Sequence, residues 1–132
     1  MSVIEEAVRW KLVNDAGVSA LVSTRVYSSE LPQKPTYPAV IYERVDSQRD
    51  YTLSGPSGFV TSTFQLRAYA ETYGGAKTLA VKIRQSINGM EGTILGVRLL
   101  GVFLQSESDE FDDELQNNSV LLDYTINHDE VL

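Results

Sequence analysis

From Val60 to Ala70 the chain alternates with a period of two. Val60, Ser62, Phe64, Leu66, Ala68 and Ala70 fall on one side. Thr61, Thr63, Gln65, Arg67, Tyr69 and Glu71 fall on the other. This pattern predicts a β-strand with one small-to-apolar face and one polar face. The period then changes. Ala76, Leu79, Ala80, Ile83 and Ile87 recur at three- and four-residue steps and make one stripe on a helix. Thr72 suits the cap of its first turn, and Gly89 after Asn88 suits its end. A long strand feeding an amphipathic helix gives a sheet face and a helix face that bury each other.

The rest of the chain adds elements on either side. Ser2-Val3-Ile4-Glu5 has the form of a capping box, and Val3, Ile4, Ala7, Val8, Lys11 and Leu12 make a helical stripe over 3–14. Asp15 and Gly17 mark its end or a break, with a short turn of helix over 18–22. Trp10 lies at the margin of the stripe. It reads as a partly buried core aromatic in preference to a stacking platform, because large aromatics dominate core energetics. Arg25-Val26-Tyr27 is a short strand. Pro32, Pro35 and Pro38 make 28–38 a loop or an extended edge segment.

Residues 39–46 read as a strand through Val40, Ile41, Tyr42 and Val45. Residues 47–58 read as irregular, with a turn cluster at 54–58. The flanking strands then form a hairpin with a long tip. Twelve residues of strand reach ~40 Å, against a radius of gyration near ~14 Å for a domain of this size. The 47–58 tip is therefore expected at an extremity, where loops make contacts.

After the helix, 92–105 reads as a strand that is apolar on both faces. Val97, Leu99 and Phe103 lie on one face and Leu100, Val102 and Leu104 on the other. Either the first helix or another subunit is expected to cover the outer patch. Residues 119–127 form the last strand. The predicted fold class is α+β, a two-layer sandwich. Its sheet is mostly antiparallel (mixed), with four to five strands and two main helices packed on it, in the order α-β-β-β-α-β-β.

Between the last strands lies 107–114, in which six of eight residues are carboxylates around Phe111. Clustered carboxylates raise Ca²⁺ or Mg²⁺ ligation, but the run lacks the glycine and alternating acids of an EF-hand loop. A solvated mobile loop is the preferred reading. A docking surface for a basic partner, with Phe111 as its apolar anchor, ranks second.

Composition narrows the function classes. The 132 residues predict one domain over 1–132. There is no cysteine and one histidine, which leaves few routes to a zinc site or a nucleophile–base pair. His128, beside Asp129 and Glu130, reads as exposed. The formal net charge is −7 with basic residues scattered, so no electrostatic footprint for nucleic acid exists. The acidic start is no signal peptide, and no apolar run is long enough to span a membrane. Tyr73-Gly74-Gly75-Ala76-Lys77 matches neither a P-loop nor a dinucleotide fingerprint. Its glycines read as letting the strand-to-helix turn close tightly. No catalytic residue, metal site or cofactor is expected.

Four stretches in order carry a family resemblance. They are the first helix leading into Arg25-Val26-Tyr27, then 37–45 (YPAVIYERV), 49–58 (RDYTLSGPSG) and 70–76 (AETYGGA). Together they resemble the tail-completion, or tail-terminator, proteins of long-tailed bacteriophages and prophages. The final third matches in length and strand pattern only.

The resemblance implies a structural virion protein that forms a hexameric ring, caps the tail tube, ends its polymerisation and joins tail to head. Its partners would be copies of itself, the tail tube protein and the head connector protein, with DNA passing through unbound. It would be made in the bacterial host cytoplasm and reside at the head–tail junction. A contact role carries over to Arg49, Asp50, Tyr51, Thr52, Leu53, Gly55, Pro56 and Gly58. The 47–58 tip or the 100–104 patch is expected to meet a neighbouring subunit in a closed head-to-tail ring. The rivals are a neck or head–tail connector adaptor of the same particle, a metal-dependent enzyme using the 107–114 carboxylates, and a monomeric binding module.

Overall fold

A computed structural model describes residues 3–53, 55–88, 90–113 and 117–130, with the backbone alone at 52 and 55–57. The elements in chain order are α1 (Ile4–Asn14), α2 (Ala16–Val22), β1 (Val26–Ser28), β2 (Ala39–Thr52), β3 (Gly55–Ala70), α3 (Tyr73–Ile87), β4 (Gly92–Ile94), β5 (Val97–Asp112) and β6 (Asn117–Asp129). The strands form one six-stranded sheet in the order β1-β2-β3-β6-β5-β4. β1 runs parallel to β2, and the other neighbours are antiparallel. The fold is thus α+β with a mixed, mostly antiparallel sheet. Among the described residues it has six strands rather than four to five, and three helices. The added strand arises because 92–105 splits at Leu95 and Gly96, both with positive φ (49° and 83°), into the hairpin β4–β5.

The core lies between the helices and one sheet face. The inward residues of β3 (Val60, Ser62, Phe64, Leu66, Ala68, Ala70) and of β6 (Val120, Leu122, Tyr124, Ile126) are buried, as is the α3 stripe Ala76, Leu79, Ala80, Ile83 and Ile87. Thr72 caps α3 by accepting from the Gly75 amide at 3.0 Å. A Cβ on Gly75 would lie 2.9 Å from that hydroxyl and 3.2 Å from the Ala70 side chain, so the turn closes only around glycine. Asp15 ends α1 and caps α2, its carboxylate accepting from the Val18 amide at 3.0 Å.

Several expectations are corrected. The N-cap of α1 is Val3, which supplies no side-chain bond. Ser2 of the expected capping box lies outside the described residues, as does Gly89. Trp10 is surface-exposed at 41%. It stands two residues past Val8, about 200° around the helix from the buried stripe. Residues 47–58 are not an irregular tip. β2 and β3 stay paired to Thr52↔Gly55, with Leu53 in the turn beyond; Ser54 lies outside the described residues. A paired neighbour imposes strand geometry on a polar stretch that propensity alone does not mark.

The acidic run is likewise strand rather than loop, since β5 pairs with β6 as far as Asp112↔Asn117; Glu114 lies outside the described residues. Extra residues at Leu100 and Gln105 bulge β5 against β6. They shift its faces. Val97, Leu99, Val102 and Leu104 meet the core, while Leu100 and Phe103 are exposed. His128 is buried, not exposed, on the core side of β6 opposite Val60.

Candidate assembly surfaces

The two long hairpins end at opposite ends of the sheet. β2–β3 runs on past the last pair of β3 with β6 among the described residues, Phe59↔Asp129. Gly55, Pro56 and Ser57 take the hairpin ~10 Å farther at ~3.3 Å per residue. At this end Tyr51 is 66% exposed and Leu53 wholly exposed. The register passes from Arg49↔Val60 to Tyr51↔Pro56, so Ser57, Gly58 and Phe59 stand opposite Asp50. That bulge needs Gly58 at φ 87°, a left-handed conformation glycine adopts without strain. Thr52, Gly55 and Pro56 are placed by their backbone only.

The root of this hairpin is fastened. Arg49 donates from Nε and Nη2 to the two Glu130 carboxylate oxygens at 3.0 and 2.8 Å, a bidentate pair. The pairing raises the Arg49 pKa and lowers that of Glu130. The Glu130 amide donates to the Gly58 carbonyl at 2.7 Å. Deeper in, Ser47 Oγ lies 2.9 Å from Ser62 Oγ, which lies 2.8 Å from His128 Nε2. Burial is the leading cause that lowers the His128 pKa, so the ring is neutral near pH 7.

At the other end the acids of β5 are clamped to opposite faces. On the helix side Lys77 Nζ meets Glu107 at 3.5 Å and Asp109 at 3.2 Å, Arg84 meets Glu107 at 3.6 Å, and the Tyr73 hydroxyl donates to Asp109 at 2.8 Å. The hydrogen bonds from Tyr73 and Lys77 hold the Asp109 carboxyl below its usual pKa. On the open side Arg67 pairs with Glu110. Among the described residues no group of three or more His, Cys, Asp or Glu is placed to hold a metal ion. Phe111 is 53% exposed and borders a cleft of about 370 Å³ with Arg67, Tyr69, Glu110 and Asn117. It is therefore at the opposite end of the sheet from Arg49–Gly58, and the two groups do not form one site.

A model of the tail completion protein gp17 family matches residues 6–129. The chain belongs to this phage tail-completion family. Its fold is similar to that of a chain in the virion of a native gene transfer agent (GTA) particle, with a TM-score of 0.80, 19% identity, and 96% of this chain and 94% of that one covered. At that identity the likeness speaks for the fold. A chain in a crystal structure from Akkermansia muciniphila is 9% identical with a TM-score of 0.39, covering 71% of this chain and 43% of that one, too remote to carry an argument. No curated protein matches.

In this tail-completion chain the helix-free sheet face is polar. Thr61, Thr63, Gln65 and Arg67 on β3 stand beside Asn127, Thr125, Asp123 and Leu121 on β6. The Thr61 hydroxyl donates to Asn127 at 3.0 Å, and Ser106 donates to Asp123 at 2.7 Å. The basic clamp on the acids escaped sequence reasoning. Its signal was present in Tyr73, Lys77 and Arg84, which share one helix face at four- and seven-residue spacing.

Proposed function

We propose that this tail-completion protein is a structural component of the virion that caps the tail tube as a ring, ends tube polymerisation and joins the tail to the head. It acts by surface contact rather than by bond chemistry. The family match over residues 6–129 carries the reading. The likeness in form to a chain of a gene transfer agent virion supports it. So does a projecting hairpin that presents Tyr51 and Leu53 to solvent. Copies of the chain form the ring, sixfold in this reading. The tail tube protein docks on one side and the head connector protein on the other, and DNA passes through a channel of acidic protein that repels it. Arg49, Asp50, Tyr51, Thr52, Leu53, Gly55, Pro56 and Gly58 make the tip contact with tube or neighbour, and Phe111 a second contact at the far end.

Negative-stain microscopy of the protein mixed with purified tail tubes tests this. A ring on one tube end, and tubes that no longer elongate, are expected. Binding to the portal end with bare tubes would instead assign the neck-adaptor role. Leu53→Asp is expected to abolish docking while the thermal midpoint stays unchanged, because Leu53 is wholly exposed. Intact rings from that variant would remove the tip from the interface.

A further inference from the structure

The sheet has two unfinished sides. β1 pairs with β2 only at Val40, Ile41 and Tyr42, and β4 pairs with β5 only at Val97, Arg98 and Leu99. Among the described residues no hydrogen bond from outside the sheet reaches the backbone of Glu43–Arg49 or Leu100–Phe111. Open strand edges are templates for pairing with another chain. Both carry exposed apolar side chains: Val45 on β2, at 53%, and Leu100 and Phe103 on β5, at 45% and 52%.

The two edges match in level, face and direction. Across the sheet Asp46 is level with Thr63, Thr125 and Phe103; Ser47 with Ser62, Ile126 and Val102; Gln48 with Thr61, Asn127 and Gly101. Asp46, Gln48, Gly101 and Phe103 belong to the helix-free face, and Ser47 and Val102 to the core face. Each edge is regular over this level, since the bulges fall outside it, at Val45 on β2 and at Leu100 and Gln105 on β5. β1 pairs with β2 no farther than Tyr42 and β4 with β5 no farther than Leu99, so neither is paired over this level. β2 and β5 run in opposite directions. Rotation about an axis along the strands preserves those directions and brings β2 of one copy antiparallel to β5 of the next.

We propose that neighbouring copies join by antiparallel strand pairing, Asp46–Gln48 of one against Gly101–Phe103 of the next, with Asp46 opposite Phe103. This deepens the ring reading above and rests on it. The join links the sheets into one ring at this level, covers Val45, Leu100 and Phe103, and turns the Thr61–Thr63–Gln65 face the same way in each copy. The join is short, so two copies in dilute solution separate. Seating on a tube end supplies the effective concentration that closes the ring.

The chain has no cysteine, so engineered thiols report only the intended contact. Asp46→Cys and Phe103→Cys proteins, both altered at exposed positions, are checked for unchanged thermal midpoints, mixed on tail tubes and oxidised. An intermolecular disulfide between the two is expected, because opposed strand residues meet its distance limits. Gln48→Cys with Phe103→Cys, a slip of two, is expected to cross-link several-fold less. Rings that form without the Asp46–Phe103 link, or with Asp46–Asp46 links, overturn the strand pairing and leave the cap standing. The link without rings keeps the pairing and removes the cap. Neither rings nor links overturns both.

Discussion

The two faces of the central strands differ in what holds them. On β3 the residues facing the helices are buried at 5% exposure or less, while the alternate residues Thr61, Thr63, Gln65, Arg67 and Tyr69 are only half-buried. One side of the strand is committed to the fold, and the other is held by little beyond its own ladder. In the ring proposed above, a surface that waits for a partner must tolerate the partner's absence, so stability has to come from the opposite face.

The sharpest break of that comparison is a pair of substitutions one residue apart. Phe64→Ala removes a wholly buried ring and is expected to cost ~3–5 kcal/mol. Thr63→Ala is expected to stay within ~0.5 kcal/mol. Urea unfolding of both variants measures the gap, and similar losses would deny the division of faces. The entry to α3 gives the next effect. Gly75→Ala drives a Cβ onto the capping hydroxyl and is expected to lose ~1 kcal/mol with the cap. Gly74→Ala, with open space around it, is expected to gain ~0.5 kcal/mol.

A smaller effect tests the polar intruder on the covered side. Folding lowers the His128 pKa from its ordinary 6.5. Well above that value both states hold a neutral ring and nothing is lost. As pH falls through about 6.5 the unfolded chain takes the proton first, and stability drops until the folded-state pKa is passed. The pH slope of the urea midpoint should flatten in His128→Asn; an unchanged slope would assign the acid sensitivity to carboxylates. The smallest effect belongs to the open side. Arg67→Ala breaks the partly exposed pair with Glu110 and should cost no more than ~0.5 kcal/mol, vanishing in high salt.

Much of the covered side was legible in the sequence. The alternation at 60–70 and the 3.6-period stripe at 76–87 each name a buried face, and the Thr72 cap and the tight Gly75 turn follow from local chemistry. The strands that reach beyond the core were not legible. Asp46–Thr52 and Ser106–Asp112 carry no apolar alternation to mark them as strands, and their pairing comes from distant residues on β3 and β6. The β5 faces were misread for a related reason, since bulges at Leu100 and Gln105 exist only relative to a partner strand. The burial of His128 rested on a hydroxyl at Ser62, far away in the chain. Of the candidate contacts, Tyr51 and Leu53 were placed at an extremity on length alone, and Phe111 lies at the other pole.

The hydrogen-bonded line from Ser47 through Ser62 to His128, with the Arg49–Glu130 fork just outside it, has a mechanical consequence. It clamps the base of the long β2–β3 arm to the last strand, so the arm is a peg and not a tether. A peg gives up little disorder when it seats, and a push on its tip is handed straight to the body. In the docking proposed above, loosening that clamp would misplace the tip without any change to the tip itself.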